Sequence, residues 1–288
     1  MGVPATLISL AEVSEFKKAL RQEQSTIAFV PTLGALHHGH LALVRRAKQL
    51  ADRVVVSIFV NPTQFGPNED FAKYPRTVRE DIDLLATLNV DAVFLPNTAT
   101  IYPAGYQTYI TNRRMSVGLC GTSRPGHFDG VLTVVMKLVN IIGCDVAVFG
   151  KKDYQQLKLI EQMFRDLNHN VRIEPLDTVR EPDGLALSSR NRFLSDTDRE
   201  LAVRLNVGLR AAAAAAYQRG ENKVDTLVEE FHKVAKVGGI ALEYAEIRRQ
   251  ADLESFESMV DQPPVLLIAA KIGQTRLIDN LELDKTIG

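Results

Sequence analysis

The stretch RVVVSIFV, residues 53–60, decides the fold. Its apolar side chains fall on both faces of an extended strand, and only Ser57 interrupts them. A strand that is apolar on both faces needs cover on both sides, the habit of parallel sheets held between helix layers. Neighbouring runs behave alike: TIAFV (26–30), DAVFL (91–95), DVAVF (145–149) and NVRIEPLDTV (170–179). Between them, apolar periodicity predicts helices near 39–51, 77–88, 131–142 and 154–167. Ser9 and Glu12 fit a capping box opening one more helix, through Lys17 and Leu20. Strand–helix alternation of this kind predicts an α/β fold: a doubly wound parallel, Rossmann-like sheet with right-handed crossovers.

Near Asp183 the pattern changes. A long helix is expected over 196–219, carrying six consecutive alanines (211–216) with high helicity and little packing volume. A further helix over 224–236 stops at Gly238 and Gly239. Then ALEYAEI (241–247), VLLIAAKI (265–272) and RLIDNLEL (276–283), the last two joined by a turn at 273–275, read as a small antiparallel sheet. The expected division is a Rossmann-like domain over 1–182 and a smaller C-terminal α+β domain over 183–288.

Composition removes several function classes. Thirty-four Lys and Arg against 35 Asp and Glu leave a formal charge of −1, without the basic excess of a dedicated nucleic-acid binder. The two cysteines, Cys120 and Cys144, form no C-x-x-C pair, so neither a disulfide framework nor a zinc set is expected, and a reducing cytoplasm fits. The opening MGVPATLISLAEVSEF lacks a basic region followed by an apolar core, so no secretory signal is expected. No apolar run reaches the roughly 18 residues that would suggest a membrane span.

In open α/β sheets, ligands bind beyond the carboxyl ends of the strands. The unusual residues lie there. After residue 30 comes PTLGALHHGH (31–40), holding three of the chain's six histidines. Gly34 and Gly39 permit close backbone approach, and a helix N-terminus at Gly39-His40 favours phosphate through unpaired N–H groups and the dipole. His37 and His40, three residues apart, can turn toward one ligand. Zinc is the alternative, but the H-E-x-x-H spacing is missing and the motif has no carboxylate or thiol. His38 points elsewhere on the turn. After residue 60 comes NPTQFGPNEDF with Gln64, and after residue 149 comes GKKDYQQ (150–156), which reads either as a nucleotide grip or as a polar helix start capped by Asp153. DGLALSSRN (183–191) offers two hydroxyls and a guanidinium for phosphate. Gln64 and Gln156 could hold a hydroxyl and a carboxylate without adding charge.

Together these segments resemble the pantoate–β-alanine ligase family of the HxGH nucleotidyltransferase superfamily. PTLGALHHGH is similar to the family's P-T-M-G-x-L-H-x-G-H, and VVVSIFVNPTQF to V-S-I-F-V-N-P-x-Q-F. YPRT (74–77), SRPGHF (123–128), GKKDYQQ, DGLALSSRN and RLIDN (276–280) match as well, along nearly the whole chain. Leu33 stands where the family usually has methionine, and Lys151 where glutamate is usual.

The resemblance implies an ATP-dependent ligase that joins pantoate to β-alanine through a pantoyl adenylate, releasing pyrophosphate and then AMP. It implies that ATP contacts Leu33, Gly34, Ala35, Leu36, His37, His38, Gly39 and His40, then Gly150, Lys151, Lys152 and Asp153, with the Val179 backbone at adenine. Leu187, Ser188, Ser189 and Arg190 complete the nucleotide set. His40, His37, Lys152 and Arg190 are the implied catalytic residues, with His40 a charge stabiliser more than an acid, because pyrophosphate leaves readily. Gln64, Gln156, Asn61 and Arg124 are the implied substrate residues. Mg²⁺ is expected to travel with the phosphates, its protein ligands unassigned. A cytoplasmic homodimer and a C-terminal lid that keeps water from the adenylate are likewise implied. The rivals are another HxGH nucleotidylyltransferase, against which NPTQF and SRPGHF speak, a class I aminoacyl-tRNA synthetase lacking its basic extension, and a non-catalytic nucleotide-binding module.

Overall fold

The computed structural model describes residues 2–67, 69–256 and 263–283. Six strands form one sheet: β1 (Ala5–Leu7), β2 (Ile27–Thr32), β3 (Arg53–Ile58), β4 (Ala92–Phe94), β5 (Val146–Gly150) and β6 (Arg172–Leu176). Their order is β1-β4-β3-β2-β5-β6, and every pairing is parallel. Among the described residues the α-helices are α1 (Leu10–Gln22), α2 (His38–Leu50), α3 (Val78–Thr87), α4 (Thr98–Ile101), α5 (Cys120–Ser123), α6 (His127–Ile142), α7 (Tyr154–Asp166), α8 (Asp196–Arg219) and α9 (Val224–Ala235). The doubly wound parallel expectation holds. Val54, Val55 and Val56 are each at most 1% exposed, which confirms that β3 is covered on both faces. Burying side chains of this size contributes about 1.5–3 kcal/mol each.

The chain divides into two units. The first comprises Met1–Ser116, Arg124–Lys151 and Leu159–Asp177; the second comprises Val117–Ser123, Lys152–Lys158 and Thr178–Gly288. In the first, Ala28, Val30, Val54, Val56, Leu85, Val93, Val146 and Val148 share one apolar core between sheet and helices. α1 starts at the expected capping box: Ser9 Oγ accepts the Glu12 amide at 3.2 Å, and the Glu12 carboxylate accepts the Ser9 amide at 2.8 Å. β1 has no counterpart in the sequence reading. Three residues at a sheet edge, with only Leu7 buried, carry too little pattern to register. α6 begins four residues ahead of its expected start at 131, because Gly126 takes a left-handed conformation (φ 79°) and turns the chain into the helix directly.

The second unit has its own sheet, antiparallel in the order β7-β8-β9: β7 (Ile240–Arg249), β8 (Pro264–Ile272) and β9 (Thr275–Glu282). α8 spans its expected residues. Its alanines have a packing role: Ala212, Ala213 and Ala215 are at most 1% exposed. Gly208 lets α9 come close, since an added Cβ would lie 2.8 Å from the Phe231 ring. Small residues on α8 thus let it meet α9 over a short distance, and Leu205, Leu209, Leu227 and Phe231 fill the remaining core.

Candidate active site

β2 lies between β3 and β5, and the chain turns outward in both directions from it. The loops after β2, β3 and β5 therefore leave neighbouring strands at the carboxyl edge, where doubly wound sheets bind ligands. The loop after β2 has unusual backbone geometry. Gly34 (φ 84°) and Ala35 (φ 51°) are both left-handed. An added Cβ on Gly34 would lie 2.9 Å from Ile58 Cγ2 and 3.1 Å from Asp81 Oδ2, so only glycine fits there. The Asp81 carboxylate, from α3, holds this bend by accepting the Ala35 amide at 2.9 Å and the Leu36 amide at 2.7 Å. Burial pushes the Asp81 carboxyl above its ordinary range, against the opposing pull of those two amides. Leu33 precedes the bend, and Ala35 and Leu36 are buried within it.

His37 and His40 cap α2. Nδ1 of His37 accepts the Gly39 amide at 3.1 Å, and Nδ1 of His40 accepts the His37 amide at 3.3 Å. This is a capping box built from two imidazoles. A ring nitrogen that accepts a hydrogen bond carries no proton, so in the neutral rings the proton sits on Nε2. The rings lie 4.1 Å apart between centroids. Two Nε2–H donors are thus set at the positive end of a 13-residue helix, an arrangement that suits an anionic ligand. His38, the first residue of α2, is exposed.

The loop after β3 is organised by Asn61, which is fully buried. Its Nδ2 donates to Gln64 Oε1 at 3.1 Å and to Gly130 O at 3.2 Å. Its Oδ1 accepts from Thr63 Oγ1 at 3.0 Å and Tyr102 OH at 2.9 Å. The hydrogen-bonding capacity of Asn61 is taken up inside the protein, fixing the turn Pro62–Gln64. Gln64, itself buried, has its Oε1 engaged by Asn61.

Arg124 lies in the same unit. Its guanidinium donates to both oxygens of Glu69 (2.6 and 2.7 Å) and to His127 Nε2 (2.8 Å). Guanidinium has no acceptor, so His127 accepts at Nε2 and donates from Nδ1 to Gln64 O at 2.8 Å. Burial favours the neutral form of Glu69, but the Arg124 hydrogen bonds and charge, with the Gly66 amide and His127, together outweigh it and hold the carboxyl below the ordinary range. Glu69, Arg124 and His127 thus support the backbone of Gln64.

Gly150 ends β5. Lys151, the residue that departs from the family pattern, pairs with Asp177 at 2.8 Å.

The remaining expected nucleotide residues belong to the second unit. Asp153 is exposed and Gln156 half-buried. Asn280 Nδ2 donates to Lys152 O at 3.0 Å. Val179 and Leu187 face each other across a narrow hairpin, with Leu187 N donating to Val179 O at 3.0 Å and Arg180 bridged to Ala186. Ser188 caps the short 3-10 turn Ser189–Phe193 by accepting the Arg190 amide at 3.2 Å. Among the described residues no group of three or more His, Cys, Asp or Glu is placed to hold a metal ion, and no helix is long and apolar enough to cross a membrane.

Several contributors escaped the sequence reading: Asp81, Glu69, His127, Tyr102, Asp279 and Asn280. RLIDN and SRPGHF flagged three of these by likeness only, without a role. Asp81 reads locally as a helix-first-turn acid, which is an ordinary preference.

Comparison with known proteins identifies the family. The family model described as pantoate-beta-alanine ligase matches residues 6–282. The pantothenate synthetase of Geobacter sulfurreducens is 46% identical over 276 residues, covering 96% of this chain and 97% of its own. The crystal structure of pantothenate synthetase from Thermus thermophilus superposes with a TM-score of 0.91 at 39% identity, covering 97% of this chain and 99% of its own. That of the pantoate-beta-alanine ligase from Francisella tularensis, complexed with beta-gamma ATP and beta-alanine, gives 0.81 at 36% identity, covering 98% and 99%. Matched over nearly its whole length in sequence and in fold, the chain belongs to the pantoate–β-alanine ligase family and is an enzyme of that class.

Proposed function

We propose that this enzyme condenses pantoate with β-alanine at the expense of ATP, through a pantoyl adenylate. The observation that carries the reading is the imidazole capping box at the start of α2, in which His37 and His40 each use Nδ1 to cap the helix N-terminus. In the first step a carboxylate oxygen of pantoate attacks the α-phosphorus, and the bond from that phosphorus to the bridging oxygen breaks as pyrophosphate leaves. In the second, the free amine of β-alanine attacks the acyl carbon, AMP departs with its oxygen, and the nitrogen loses a proton.

Carboxylate and triphosphate repel each other, so charge neutralisation and positioning are the principal tools for this chemistry. His37 and His40 stabilise phosphate charge through their Nε2–H groups. With Nδ1 spent on the helix cap, His40 is better equipped to donate a hydrogen bond than to cycle a proton. Lys152, Ser188, Ser189 and Arg190 are assigned to the phosphates, Gly150 and Asp153 to the ribose, and Val179 to adenine. Gln64 donates from Nε2 to pantoate, and Gln156 is its expected partner in holding hydroxyl and carboxylate. A site that hydrogen-bonds a hydroxyl rejects analogues lacking it, because its own amides are then left unpaired. Mg²⁺ would enter as part of the ATP complex. Bound to ATP it would offset phosphate charge, and such an ion needs no all-protein cage; among the described residues no group of three or more His, Cys, Asp or Glu is placed to hold one.

The test is pyrophosphate and AMP formation from ATP with pantoate, with and without β-alanine. Sustained formation of both that needs both substrates, with isotope exchange between pyrophosphate and ATP needing pantoate alone, supports the ligase and its adenylate. No stimulation by pantoate removes the substrate assignment.

A further inference from the structure

The motif RLIDN has no part in the chemistry above, yet β9 touches both nucleotide-assigned segments of the second unit. Asp279 and Asn280 are each 5% exposed. Arg180 donates to Asp279 Oδ2 at 2.7 Å and Oδ1 at 2.9 Å, to Asn280 O at 3.2 Å and to Gly184 O at 3.1 Å. One guanidinium therefore ties the base of the 179–187 hairpin and its tip to β9. Val179 precedes Arg180 directly, and the hairpin pairing carries Leu187 and the following Ser188 along. On the neighbouring side of β9, Asn280 Nδ2 holds Lys152 O and Glu282 accepts from Tyr154 OH at 3.2 Å. Both bonds fix the 152–154 backbone. The adenine and phosphate segments are thus anchored at adjacent residues of one strand.

We propose that Asp279 and Asn280 are positioning residues for ATP: Asp279, through Arg180, sets the hairpin that carries Val179 and Ser188–Arg190, and Asn280 sets Lys152 relative to it. A buried bidentate arginine–carboxylate pair fixes distance and orientation together, and separate segments that must grip one triphosphate need such a common reference. The inference rests on the ATP-dependent reading of the site. It goes beyond that reading in assigning work to residues that touch no substrate.

The experiment uses three variants, Asp279→Asn, Arg180→Lys and Asn280→Ala. Binding of α,β-methylene ATP is measured by calorimetry, steady-state constants for pantoate and β-alanine are determined, and folding is checked by circular dichroism. Arg180→Lys keeps the charge and loses the fork; Asn280→Ala leaves the ion pair intact. The expected result is a folded protein whose affinity for the analogue falls about tenfold or more, with KM for pantoate and for β-alanine within about threefold of the parent. Failure of the parent protein to bind the analogue would overturn the proposed function and this inference with it. Parent binding with unchanged affinity in the folded variants would overturn the positioning role alone. So would equal losses for all three substrates, or unfolding of all three variants, since each marks a contact that serves the fold only.

Discussion

Gly130→Ala is the sharpest available test of how the turn Pro62–Gln64, proposed to hold pantoate through Gln64, is built. An added Cβ on Gly130, in α6, would lie 2.4 Å from Thr63 O, 2.6 Å from Thr63 C and 2.7 Å from Gln64 N. All three are backbone atoms, so no side-chain rotation relieves the clash. Ordinary contact begins near 3.4 Å, and the turn Pro62–Gln64 must retreat by about 1 Å (3.4 − 2.4). It cannot do so freely, because His127 and Arg124 hold Gln64 O while Tyr102 holds Asn61 and Thr63. Overpacking of one methyl costs about 1–3 kcal/mol of stability, too little to unfold most domains. A misplacement of about 1 Å at a positioning group, in contrast, costs about 100-fold in rate, or about 2.7 kcal/mol of transition-state stabilisation. The assay is kcat/KM for pantoate at saturating ATP and β-alanine, alongside calorimetric binding of α,β-methylene ATP. The expected result is a loss of about 100-fold for pantoate with nucleotide affinity within about threefold. Gly238→Ala, where nothing lies within 4 Å of the added atom, serves as the silent control. Gly130→Ala with parental pantoate kinetics would refute the reasoning, and so would a parallel loss of nucleotide binding.

Other perturbations probe the remaining supports. His40→Ala removes one Nε2–H donor and one member of the helix cap, and single-turnover adenylation should slow about 10²–10³-fold; a near-parental rate would remove its role. Asp81→Asn leaves one of the Ala35 and Leu36 amides without an acceptor in a buried site, which should cost about 1–3 kcal/mol in chemical denaturation and weaken ATP binding. Unchanged stability would show that Asp81 does not hold the bend. Glu69→Gln tests a pH dependence whose sign follows from the lowered Glu69 pKa. A carboxyl held below its unfolded value contributes stability that is present above about pH 4.5 and is lost as pH falls through the folded value. The Tm gap between parent and variant should therefore be open at pH 7 and close as the pH falls through the lowered folded value; a gap that widens in acid would contradict the pairing.

Periodicity and turn chemistry made the sheet, the long helices and the second unit legible, because each is written in a window of ten to twenty residues. β3 announces itself with six apolar residues in eight, and α8 with its uninterrupted helical pattern. β1 does not, since its three residues acquire meaning only through pairing with β4. The same divide runs through the site. His37 and His40 were legible because their partnership is local, three residues apart on one helical turn. The carboxylate that bends the loop beneath them comes from 45 and 46 residues away, and the tyrosine that braces Asn61 from 41. A lone aspartate or tyrosine carries no mark of such a partner. Likeness to the family drew attention to Arg124 and Asn61 as substrate residues, but likeness does not say what a side chain touches. In the structure both are occupied by protein groups, and Gln64 is the residue they support.

Position 151 shows how a departure from the family pattern is absorbed. A lysine there, beside Lys152, would put two positive charges next to each other at the end of β5, where the usual glutamate would have partly offset one. Two independent cations would strengthen the local field on a triphosphate. The structure instead pairs Lys151 with Asp177 at 2.8 Å, and the lysine side chain is only 15% exposed while the aspartate is 81% exposed. The pair is worth little in stability, because one partner sits in water. Its consequence is electrostatic: the added charge is matched at short range by an opposite one, and beyond a few ångströms the two largely cancel. The neighbouring Lys152, assigned to phosphate in the proposed function, has its backbone carbonyl held by Asn280. Swapping glutamate for lysine at 151 therefore adds a positive charge that is already paired with an acidic neighbour.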